Sequence, residues 1–175
     1  MPGSPAHLLT RFFDVVTARP LTASERAAVS NWLDPALEEV FFAQSAADQR
    51  HGYHAALYVV ASGVSSDEVI VAALVHDVAK RHARLGPVGR SVASVCILLN
   101  LPLSDRMRAY GDHGIIGARE LGALGAPSLA IDFALHHHRE RPPTIDPRTW
   151  EMLVAADQPP KPSTMLGRRI TSPVE

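Results

Sequence analysis

Cysteine is almost absent. The 175 residues contain one, Cys96, so the chain closes no disulfide on itself and builds no thiolate metal cluster. Cys96 lies in the apolar run "SVCILL" and reads as a small buried hydrophobe, a use that fits a reducing, cytoplasmic setting. Net charge is equally scarce: 17 basic residues stand against 18 acidic ones, a formal −1 at pH 7. No nucleic-acid partner is therefore expected. Long apolar runs are missing too. The opening "MPGSPAHLLTRFFDVVTARP" lacks both the basic start and the unbroken apolar stretch of a secretion signal, and no membrane span is expected. Sustained period-two alternation is also missing, which argues against a sheet.

What is present is helical patterning. A 46% hydrophobic and 20% charged composition suits one globular domain with a substantial core. An amphipathic segment covers His7 to Ala18. Thr22-x-x-Glu25 reads as a capping box, Asp34-Pro35 as a cap and first-turn proline, and Ser65-x-x-Glu68 as a second box. Helices are expected over Ala46–Ser62, from Glu68 to Gly86-Pro87, and over Val88–Leu99, Ser104–Tyr110, His113–Leu124, Ser128–Arg139 and Arg148–Asp157. The tail "QPPKPSTMLGRRITSPVE" is read as loose.

Nine histidines are the one unusual count. Several stand inside or beside apolar runs together with carboxylates: His51 in "DQRHGYHAALYVV", His76-Asp77 in "AALVHDVA", His113 in "DHGIIGARELGALG", His137-His138 in "AIDFALHHH" and Asp157 in "MLVAAD". Taken singly, each is an ordinary core or surface residue. Taken together, they share a problem: removing Asp77 and Asp157 from water without a cation costs several kcal/mol each. A divalent ion held by imidazole and carboxylate removes that cost, and such donors suit iron, manganese or zinc better than calcium. Helical bundles commonly project ligands inward from several helices.

In that order, His51, His76-Asp77, His113, His138 and Asp157 resemble the motif of the HD superfamily of metal-dependent phosphohydrolases. "AALVHDVAK", "HGIIGARELG" and the late "AAD" carry the resemblance, which spans residues 46–158. "HGxxGAxxL" is similar to the bacterial symmetrical diadenosine tetraphosphate hydrolases. Those enzymes place one histidine before a threonine where this chain has "HHHRER", so the substrate does not transfer.

The resemblance implies an all-α, single-domain helical bundle of the HD-domain type, with roughly seven to nine helices. Residues 1–44 would pack on a core of residues 45–158, and residues 159–175 would form the tail. It further implies one or two divalent ions (Fe, Mn, Zn, Mg or Co). His51, His76, Asp77 and Asp157 would hold one, and His113, His138 and His137 the other, with Asp77 bridging. His138 is preferred to His137, and His51 to His54. Two such ions make hydroxide available near neutral pH and neutralise phosphoryl charge. Asp77 and Lys80 are the candidate catalytic residues, and Lys80, Arg139 and Arg141 the candidate phosphate contacts. The implied activity is hydrolysis of a phosphate ester or anhydride in a small molecule, a nucleotide or related metabolite. A di-iron oxygenase could use the same ligand set; a non-catalytic nucleotide-binding domain is the other alternative, and the full ligand set argues against it. Oligomeric state is left open.

Overall fold

Caps and prolines decide where the helices of this chain begin. The computed structural model describes residues 19–63 and 66–158, and every regular element among them is helical. Helix α1 (Ala23–Trp32) opens on the expected box: the Glu25 N–H donates to the Thr22 hydroxyl, and the Thr22 N–H donates to the Glu25 carboxylate at 2.7 Å. Helix α2 (Pro35–Phe42) follows Asp34, whose carboxylate accepts from the N–H groups of Ala36 and Leu37, both at 3.0 Å. Helix α3 (Ala46–Ala61) is capped by Ser45. Helix α4 (Asp67–Val75) starts after Ser66, which makes no side-chain cap; Ser65, the expected cap, lies outside the described residues, as do the segment at residues 7–18 and the tail.

Glu25 does two jobs. Besides capping α1, it binds the Arg50 guanidinium at 2.6 Å, which ties α1 to α3. Arg50 and the Thr22 N–H hold its carboxyl down at about 2. A depressed carboxylate contributes its full stability above its unfolded pKa and loses it as pH falls through the folded value. Glu25→Gln is therefore expected to flatten the pH dependence of the melting temperature between about pH 4.5 and 2, measured by circular dichroism against the parent.

Helix α4 is the axis of the bundle. Its residues Val69 to Val75 are all buried, and it packs on α3, on α8 (Ser128–His136) and on α9 (Pro147–Asp157). Leu21, Val29, Leu33, Leu37 and Phe41 share the same apolar cluster as α4, Phe133 and Leu153, so residues from 21 onward join one core. Among the described residues no helix is long and apolar enough to cross a membrane.

Three expectations are corrected. The helix expected to run on toward Gly86 stops at Val75, and a 3₁₀ segment (Val78–Ala83) continues from Asp77 to Arg84, which takes the left-handed conformation at φ 48°. The helix expected to reach Arg139 stops at His136, leaving His137 and His138 in the following turn. Helix α5 (Pro87–Leu98) is no core helix: only Ala93 is buried, and Cys96 is partly exposed. It leans on α6 (Asp105–Gly111), itself without a buried residue, and so leaves most of its apolar side chains uncovered. Helix α7 (His113–Ala123) packs on α8 and on the 3₁₀ segment.

Candidate metal centre

The last turn of a helix leaves carbonyl groups without intrahelical donors. Here three histidines use them. His76 follows α4 and its Nδ1–H donates to the Ala73 carbonyl at 2.9 Å. His137 follows α8 and donates to Ala134 at 2.9 Å. His113 follows the end of α6 and donates to Tyr110 at 2.6 Å. In each case the acceptor is the carbonyl three residues earlier. A carbonyl only accepts, so Nδ1 carries a proton in each ring and Nε2 is the atom turned to the centre, where it can act as a ligand when unprotonated.

Those Nε2 atoms meet carboxylate oxygens and one another. Nε2 of His76 lies 3.2 Å from Asp157 Oδ1 and 3.5 Å from Asp77 Oδ2. Nε2 of His51 lies 3.0 Å from the same Asp157 oxygen and 3.7 Å from Asp77 Oδ2. On the other side of Asp77, His113 and His137 place Nε2 at 3.3 and 3.4 Å from Oδ1, and 3.3 Å from each other. Asp77 Oδ1 is buried and has no hydrogen-bond partner among the described residues. One shared proton serves at most one of these contacts, whereas a cation between them serves all. The donors therefore fit metal ions in two groups: His51, His76, Asp77 and Asp157, and Asp77, His113, His137 and His138, the ligand atoms of each lying within 4.8 Å of one another.

The break between α4 and the 3₁₀ segment places Asp77 where both groups use it. His76 is fully buried and Asp77 3% exposed. In a 3₁₀ helix residues three apart eclipse, so Lys80 stacks on Asp77, with which it pairs, rather than on His76. Burial would raise the Asp77 carboxyl, but the Lys80 ammonium, His76 and the contacts with His113 and His137 together outweigh it; the carboxyl stays well below its usual range. Burial would lower Lys80, and Asp77 reverses that in turn. Asp157 also resists its burial, held below the ordinary carboxylate range by hydrogen bonds from His51 and His76.

Two glycines let the helices come this close. A Cβ on Gly52, next to His51, would sit 2.6 Å from the Leu74 carbonyl oxygen on α4. A Cβ on Gly114, next to His113, would sit 2.7 Å from the Ala134 oxygen on α8, the same oxygen that holds His137.

Of the other candidates, His54 is exposed and outside both groups, so α3 offers His51. His137 and His138 both fall in the second group. His137 is the ring pinned to a carbonyl and aimed at Asp77; His138 is exposed, with its ring centroid 3.9 Å from that of His137. Although the residue as a whole is exposed, desolvation of its ring, with His137 and His113 beside it, holds His138 down to about 3. Arg139 lines a cavity of about 40 Å³ together with His137, His138 and Gly114. Arg141 turns instead to its own loop, donating to the carbonyls of Ile145 at 2.5 Å and Pro142 at 3.3 Å. Arg50 is likewise engaged away from the centre, on Glu25 and the carbonyls of Arg19 and Pro20.

The sequence reading passed over Arg90. Its guanidinium grips Asp48 through two bonds, at 2.6 and 2.7 Å, and lies close enough to Asp77 and Tyr110 for their charges to act on it. The only sequence signal was Asp48 standing three residues before His51, hence near the same face of α3. Compared with known proteins, the chain matches no family model, no curated protein and no solved structure.

Proposed function

We propose that the protein is a metal-dependent phosphohydrolase of the HD type, cleaving a phosphate ester or anhydride in a nucleotide or related metabolite. The observation that carries this reading is the sharing of one buried carboxylate, Asp77, by two His/Asp donor groups. Two-metal sites of this kind serve in-line displacement at phosphorus. Divalent ions bound there would lower the pKa of water and neutralise charge on phosphoryl oxygens. His51, His76 and Asp157 would hold one ion, His113 and His137 the other, and the carbonyl-bound Nδ1 atoms keep the rings aimed. Lys80, charged and fixed by Asp77, offers a donor to a phosphoryl oxygen. Arg139 at the rim of the small cavity offers another.

The test is elemental analysis of the purified protein, followed by phosphate-release assays on nucleotides and dinucleoside polyphosphates after reloading with Mn, Fe, Zn, Co or Mg. Metal-dependent release that persists without oxygen is the expected result. Release absent across the panel in metal-loaded protein would refute the proposal. Oxygen consumption on adding substrate would point to di-iron oxygen chemistry, and tight nucleotide binding without turnover to a sensor.

A further inference from the structure

The two oxygens of Asp77 have different surroundings. Oδ1 is buried, has no hydrogen-bond partner among the described residues, and faces Nε2 of His113 and His137 at 3.3 and 3.4 Å. Oδ2 faces Nε2 of His76 and His51 at 3.5 and 3.7 Å, but the Lys80 ammonium already sits on it. A cation joining the Oδ1 group meets a free carboxylate oxygen. A cation joining the Oδ2 group must displace a fixed positive charge or endure it, and like charges at such range oppose one another.

The donors differ as well. Around Oδ1 three imidazoles, those of His113, His137 and His138, stand with the Asp77 carboxylate alone. Around Oδ2 two imidazoles, those of His51 and His76, stand with two carboxylates, Asp77 and Asp157. His138 makes the difference. Its ring centroid lies 3.9 Å from that of His137 and 5.1 Å from that of His113, and it forms the exposed side of a group whose other rings are buried. Imidazole suits zinc, whereas carboxylate oxygen suits manganese and magnesium. Two rings of the Oδ1 group are pinned to carbonyls against one in the other group, His76, so the Oδ1 group is the more nearly preassembled.

We propose that the two positions fill in a fixed order and with unlike ions. His113, His137, His138 and Asp77 Oδ1 take zinc first. His51, His76 and Asp157 take manganese second, and Lys80 gives up Asp77 Oδ2 to complete that position. The inference rests on the two-ion reading of the centre and not on the reaction assigned to it.

The experiment adds one equivalent of Zn(II) to metal-free full-length protein, then excess Mn(II). Bound metal is read by elemental analysis, and histidine reactivity by diethyl pyrocarbonate modification located by mass spectrometry. His138 and His51, whose side chain is 28% exposed, report the two positions, with exposed His82 as control. The expected result is one zinc and one manganese per chain, zinc protecting His138 and leaving His51 reactive until manganese is added. His138→Ala is expected to weaken zinc binding by at least about tenfold, the lower end of what losing a ligand-orienting partner costs, with manganese binding unchanged. Lys80→Met is expected to tighten manganese binding and leave zinc binding as it was. Zinc that protects His51 first or both rings together, bound metals that do not settle at one of each, unchanged zinc binding in His138→Ala, or manganese binding that fails to tighten in Lys80→Met would overturn the proposal while leaving a two-ion centre in place. A chain that retains neither metal would overturn the centre and this inference together. No readout uses substrate, so phosphate release judges the proposed reaction separately.

Discussion

Asp77→Asn is expected to empty both halves of the centre at once. The side chain keeps its shape, but the only anion common to the two donor groups is gone. Retained metal should fall to a small fraction of the parent value by elemental analysis. Activity should fall by about 10³-fold or more, because losing several kcal/mol of charge stabilisation has that effect on rate. The variant also strands Lys80, whose ammonium is 13% exposed beside a carboxylate that is 4% exposed. Breaking such a pair from one side costs about 3–5 kcal/mol, visible as a lower denaturation midpoint with helicity intact at 25 °C. Asp77→Asn/Lys80→Met separates the two effects: it should regain most of the stability and none of the metal. Full metal occupancy in Asp77→Asn would show that the centre has been wrongly assigned.

Gly114→Ala should damage one half and spare the other. The added methyl group would press on the Ala134 carbonyl oxygen, and so on the acceptor that orients His137. Relief requires α7 and α8 to part, carrying His113 and His137 away from each other. Overpacking of this sort costs about 1–3 kcal/mol, and disturbing the groups that aim a ligand typically costs about 10–100-fold in metal affinity. Titration of apoprotein should therefore show one of two binding events weakened and the other unchanged. Gly52→Ala, which presses on the Leu74 carbonyl, should do the reverse. Identical losses at both events in either variant would contradict the division into two groups.

Much of this was legible in the sequence. Thr22-x-x-Glu25, Asp34-Pro35 and the glycine and proline breaks announce helix limits through local chemistry, which needs no tertiary information. The all-helical fold followed from them. The donor residues were legible as a set, because buried carboxylates beside histidines suit a cation where they meet. The pairing His51-Gly52 and His113-Gly114 was present as well, although its meaning depends on which backbone stands opposite. Other features were not legible. Nothing local in "VHDVAKRHA" distinguishes an α-helix from a turn of 3₁₀ after Val75, yet that change decides that Lys80 meets Asp77. "HHH" cannot say which ring faces inward until the helix end is known, and the end at His136 selects His137. The apolar run around Cys96 looked like core because composition reports apolarity and not what lies against it.

The three imidazoles pinned to helix-end carbonyls have a consequence for how the candidate centre would take up ions. Their orientation is set when the backbone folds, so a metal-free chain would keep the site's shape and ions could exchange there without the chain unravelling. A site assembled this way discriminates by donor chemistry, and imidazole with carboxylate admits several first-row ions. Which of them would be bound there would then follow the supply around the protein.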